Sequence, residues 1–139
     1  MKNSPGPMNI CVMISGSGTN LQSLLVHYPY EGGEAKPARV AFVVSDNPGA
    51  FGLERAKKAG VRTRVISPKD FATPEEFGLA HIRLMKEEGI DLIVLAGYLK
   101  LLPANLVSEF RNRMINIHPA LLPSFGGKGM YGARVHHAV

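Results

Sequence analysis

Asn116 and His118 stand two residues apart in the run INIHP (115–119). In an extended strand that spacing places both on one face, with Ile115 and Ile117 on the other. An amide offers a hydrogen-bond donor. An imidazole can carry a proton to or from a reacting group, or donate when charged. Together they suit stabilisation of a developing oxyanion coupled to proton transfer. The same pair also suits a structural hydrogen bond ahead of a proline turn. A metal site is disfavoured, since no second ligand follows at a fitting spacing. His136 and His137 lie too far along and read as the opening of a surface helix.

Two earlier segments carry chemistry of other kinds. SGSGTN (15–20) is built of small residues. They let backbone amides approach an anion, and a helix starting there adds the positive end of its dipole. Gly16, Gly18, Thr19 and Asn20 can thus hold a phosphate. The third glycine of a dinucleotide fingerprint is replaced by Leu21, and no Gly-Lys-Ser/Thr follows. A tight turn capped by Thr19 or Ser17 is the alternative. In AGYLKLLP (96–103), Gly97 ends an apolar run, and Tyr98, Leu99, Leu101 and Leu102 form a wall beside it. A flat heterocycle can lie on such a wall and bond to exposed backbone, or the wall can pack into the core before Pro103.

Short apolar runs alternate with helical patterns along the chain. Strands are expected at 8–14, 38–45, 61–67, 90–98 and 114–118, and helices at 19–28, 50–60, 73–89 and 103–113. The clearest helix has Thr73 as its cap, Pro74 in its first turn and Glu76 as capping-box partner. His27 and His81 read as helix-face residues. The strands show no clean alternation, so both their faces must be covered. This predicts an α/β fold with a doubly wound, mainly parallel open sheet. Ligands then bind at the carboxyl ends of the strands, where strand order reverses. Segments 15–20, 97–102 and 116–132 fall on that one rim.

Composition narrows the function classes. Hydrophobic residues are 45% and charged residues 19% of the 139-residue chain, too apolar for disorder. Residues 1–8 read as a flexible leader and 9–139 as a single domain. The lone cysteine, Cys11, lies in an apolar run and excludes an internal disulfide. The net charge of +5 suits anionic ligands, but no basic run marks a nucleic-acid tract. No stretch approaches the roughly 20 apolar residues of a membrane span. The expectation is a cytoplasmic protein acting on small molecules, without nucleic acid or membrane partners.

The combination of ISGSGTNLQ, SDNPGAFGLERAKKAG, VLAGYLKLL and NIHPALLPSFGGKGMYG resembles the phosphoribosylglycinamide formyltransferase family, folate-dependent enzymes of purine synthesis. The likeness runs from about Asn9 to the end of the chain. The Asn-x-His-Pro-x-Leu-Leu-Pro element is shared with a wider formyltetrahydrofolate-using superfamily. The resemblance implies two substrates, glycinamide ribonucleotide and the co-substrate 10-formyltetrahydrofolate, and no metal. Gly18, Thr19 and Asn20 match the loop holding the ribonucleotide phosphate, and Gly97 and Pro119 match residues lining that substrate. Leu99, Lys100, Leu101 and Leu102 match the segment cradling the pterin, with Asn116 beside it. Asn116 and His118 match two members of a catalytic trio.

Other readings share these motifs. A formyltetrahydrofolate hydrolase or a methionyl-tRNA formyltransferase carries the same His-Pro turn, although SGSGTNLQ is not expected of the latter. A non-catalytic nucleotide-binding module on the same sheet is a third. The trio's aspartate, in a loop past the glycine stretch, has no match here: Asp46, Asp70 and Asp91 lie in turns or at a strand start. A basic residue that helps hold the folate tail corresponds to Pro74. The expectation is therefore an amino-terminal portion of such an enzyme, incomplete at its carboxyl end, prone to self-association and weak in turnover. A formyl-transfer assay on the 139-residue chain checks this; a rate near that of a full-length relative contradicts it.

Overall fold

The computed structural model describes residues 6–30 and 37–117. Among these residues five strands form one parallel sheet: β1 (Met8–Ile14), β2 (Ala38–Ser45), β3 (Arg62–Val65), β4 (Leu92–Ala96) and β5 (Met114–Ile117). Their spatial order is β3-β2-β1-β4-β5. The chain steps outward from β1 to β3, returns across the sheet, and steps outward again from β4 to β5. Right-handed crossovers then require the helices of the two halves to lie on opposite faces. They do so. The sheet's α1/α2 face carries α1 (Thr19–His27) and α2 (Gly52–Lys58), and its α3/α4 face carries α3 (Pro74–Glu87) and α4 (Ala104–Glu109).

Burial follows the strand period. Ile10, Val12 and Ile14 of β1 pack with Leu21, Leu25 and Leu53 on the α1/α2 face. Cys11 and Met13 pack with Phe77, Met85 and Leu106 on the opposite face. In β2 one extra residue, Ala41, enters between the partners of Ile10 and Cys11. Val40 and Val43 thereby keep one face while Phe42 and Val44 keep the other, as a bulge requires. Cys11 is fully buried, and burial pushes its thiol well above the usual range, so it is inert packing.

The elements fall where the pattern placed them, with shorter ends. The strand expected over 61–67 stops at Val65, and a 3-10 turn, Pro68–Asp70, follows. Pro68 supplies no amide to extend the ladder. At the start of α3 the Thr73 hydroxyl accepts from the Glu76 amide, while the Glu76 carboxylate accepts from Ala72 rather than from Thr73 itself. Among the described residues, no helix is long and apolar enough to cross a membrane.

His81 lies on a helix face as expected, but that face is the fully buried one. Its Nδ1 donates to the Phe77 carbonyl at 2.9 Å, and its ring stands edge-on to Phe77. Nε2 is buried with no described partner, so a second proton would find no acceptor. Burial accordingly lowers the His81 pKa from its ordinary value, with the Phe77 carbonyl opposing in part. A depressed imidazole pKa gives stability that is full above the unfolded pKa and falls as pH drops toward the folded one. Thermal unfolding at about pH 7.5 and about pH 5.5 should show a smaller acid loss for His81→Leu than for the wild type. Equal losses in both proteins would refute the buried-imidazole account.

Candidate functional site

Strand order reverses between β1 and β4, so the segments leaving these neighbours diverge to opposite faces and open a crevice between them. Ser15, the residue after β1, spans it. Its hydroxyl donates to the Asp46 carboxylate at 2.5 Å and accepts from the Leu99 amide at 2.9 Å. Ser15 and Asp46 are both buried. One hydroxyl thus ties the carboxyl ends of β1 and β2 to the loop after β4. Asp46 in turn, after burial, helps to push the Tyr98 phenol above its usual range.

On the α1/α2 side, residues 15–18 turn from β1 into α1. The cap is neither Thr19 nor Ser17. Gly18 takes that place in the left-handed region (φ 77°), and no side chain caps the helix. A methyl group at Gly18 would lie 2.7 Å from the Gly52 Cα, so both conformation and space require glycine. Gly52 donates to the Gly16 carbonyl, and Arg55 to the Ser17 carbonyl. No described residue accepts from the amides of Ser17, Gly18, Thr19 or Asn20. The first turn of α1 therefore offers unpaired donors and holds no acidic residue, the arrangement an anion needs.

On the α3/α4 side, Gly97 ends β4 with φ 78° and the chain turns outward. The apolar wall divides here. Tyr98 and Leu102 pack against the core, whereas Leu99 and Leu101 are 82% and 92% exposed. Between this segment and Phe71, Pro74 and Phe77 runs a groove of about 740 Å³. Among the described residues, Lys100 is the only charged side chain lining it, and Pro74 supplies no cation. A smaller hollow of about 350 Å³ adjoins it, with Ser15, Asp46, Ser67, Lys69 and Lys100 among its lining residues.

Asn116 lies on β5 in register with Leu95, which is itself in register with Met13. Alternation turns Asn116 to the face of Met114, which packs with the α3/α4 core, while Ile117 packs against the opposite cluster. Asn116 is half-buried, and its amide has no partner among the described residues. The structure thus brings Asn116, Gly97, Leu99–Leu102 and the Gly18–Asn20 turn to one rim. His118, Pro119, His136 and His137 lie outside the described residues. Asp91 sits on the opposite rim, where its carboxylate accepts from the Asn9 amide. No group of three or more His, Cys, Asp or Glu side chains that could hold a metal ion occurs among the described residues.

Sequence reading gave Ser15 no role of its own within SGSGTN, placed Asp46 only in a turn, and did not single out Arg55 or the groove wall at Phe71 and Phe77. A serine closing an otherwise apolar strand, with an aspartate directly after the next strand, was the available signal for the first pair.

Known proteins resemble this chain throughout. A family model described as formyl transferase matches residues 8–139. The trifunctional purine biosynthetic protein adenosine-3 of Drosophila melanogaster is 43% identical over 118 residues, 85% of this chain and 9% of that protein. The chloroplastic phosphoribosylglycinamide formyltransferase of Arabidopsis thaliana is 37% identical over 97% of this chain and 46% of its own length. Among solved structures, glycinamide ribonucleotide transformylase 1 from Geobacillus kaustophilus superposes with a TM-score of 0.73 at 41% identity. That match covers 96% of this chain and 69% of the solved one.

Replacing Ser15 by alanine leaves a buried carboxylate and the Leu99 amide without their partner. The expected cost is about 1–3 kcal/mol in urea denaturation. An unchanged midpoint would show that the hydroxyl does not hold the rim together.

Proposed function

Because the chain belongs to the formyl transferase family, we propose that it contributes the transfer of a formyl group from 10-formyltetrahydrofolate to the primary amine of glycinamide ribonucleotide. The observation that carries this reading is the meeting of an uncapped helix start and an apolar groove at one strand-order reversal, with the Asn116 amide on the same rim. The turn Gly18, Thr19 and Asn20 binds the ribonucleotide phosphate through unpaired amides. Gly97 and Pro119 line that substrate. The backbone and side chains of Leu99, Lys100, Leu101 and Leu102 hold the pterin in the groove, with Asn116 beside it.

The amine attacks the formyl carbon and a tetrahedral oxyanion forms. Collapse breaks the bond to the folate nitrogen. The attacking amine gives up one proton, and the leaving nitrogen takes one. Asn116 donates to the oxyanion, and His118, when protonated, does the same and carries the proton transfers. Lys100 is the groove's cation for a folate carboxylate, in place of the basic residue that Pro74 replaces. The cytoplasm is the compartment we assign.

The test is a formyl-transfer assay with both substrates, read beside their binding by calorimetry. Asn116→Ala should lower kcat about 100-fold or more while substrate affinities stay within a few-fold, as loss of an oxyanion donor does. Binding of both ligands with no transfer, even in a version extended at its carboxyl end, would favour a non-catalytic module instead.

A further inference from the structure

We infer that Arg55 is a positioning residue for the substrate phosphate, acting through the Gly16–Gly18 turn. The inference rests on the phosphate role proposed above for that turn. A turn of small residues is entropically costly to hold in one shape, and no side chain of its own caps it. The restraint comes from α2. Arg55 Nε donates to the Ser17 carbonyl at 2.7 Å, and its Nη1 donates to Gln22 Oε1 on α1 at 3.3 Å. Its guanidinium is braced over the Phe51 ring, 5.1 Å from the centroid. One rigid fork therefore joins the turn, the helix that follows it and the neighbouring helix.

The direction of these bonds matters more than their number. In a trans peptide the carbonyl and the following amide point oppositely. Holding the Gly16 and Ser17 carbonyls toward α2 therefore turns the amides of Ser17 and Gly18 away from it. Those two amides come directly before the amides of Thr19 and Asn20, which likewise have no acceptor among the described residues. Successive donors of this kind form an anion-binding concavity. Arg55 sets its shape without needing to touch the anion.

The experiment compares wild type, Arg55→Met and Arg55→Lys by calorimetry with glycinamide ribonucleotide and with its riboside, which lacks the phosphate. It is paired with ¹⁵N order parameters for Gly16–Asn20 in the unliganded chain. Both variants should bind the ribonucleotide about tenfold or more weakly, with riboside affinity unchanged, because a lysine cannot reproduce the two-pronged contact. Order parameters of the turn should fall in both. Full rescue by lysine would mean that charge alone acts, and would overturn the inference, as would unchanged order parameters. A wild type that binds inorganic phosphate but not the ribonucleotide would remove the substrate reading. The variants' effect on phosphate binding and on order parameters would then still decide the role of Arg55.

Discussion

The Ser15 hydroxyl is the bond on which the rim's architecture turns. Its two partners come from strands on either side of β1: Asp46 from the end of β2 and the Leu99 amide from the loop after β4. A reversal of strand order guarantees a crevice at this place, but it leaves the loops around the crevice free to separate. A buried carboxylate needs a donor and an extended loop needs an anchor, and the same oxygen meets both demands. The opposite rim has a counterpart. Asn9, at the start of β1, accepts from Arg39 on β2, donates to the Gly89 carbonyl, and donates through its backbone amide to Asp91. The central strand is thus stapled to its neighbours by one short polar side chain at each end, with apolar packing between.

The reversal also assigns the two sides of the crevice different characters. The α1/α2 side presents backbone donors shaped by glycine and held by α2. The α3/α4 side presents an apolar groove between the α3 start and the exposed Leu99–Leu102 segment. In the function proposed above, the phosphorylated substrate and the heterocyclic formyl donor approach from opposite faces and meet at the strand ends. Asn116 lies on the groove side of the sheet, in register with Leu95 and on the face of Met114. Leucines at 82% and 92% exposure make sense as part of such a groove and poor sense as bare surface.

Much of this was legible in the sequence, for identifiable reasons. Five apolar runs without alternation required a sheet covered on both faces, and the capping residues of α3 marked its start to within a residue. The rim followed from the parallel order alone. What escaped was set by tertiary contact. Thr19 and Ser17 are the residues that usually cap a helix, yet the cap position is left-handed and the close approach of Gly52 leaves no room there for a side chain, so Gly18 takes it. His81 looked like a helix-face residue, and nothing local reveals that its face is the core. Tyr98 and Leu102 read as part of one wall with Leu99 and Leu101, because a loop has no fixed period to separate inward from outward residues. Arg55 was invisible as a functional residue because its partners lie 33 and 38 positions away.

In the proposed function the glycine turn, the loop after β4 and Asn116 border one substrate crevice. A ¹⁵N–¹H correlation spectrum recorded during titration with glycinamide ribonucleotide tests it most directly. The amides from Gly16 to Asn20 and from Gly97 to Leu99 should be perturbed, together with the Asn116 side-chain amide. Perturbation confined to the opposite rim, around Asn9 and Asp91, or sparing Asn116 while the glycine turn responds, would contradict it.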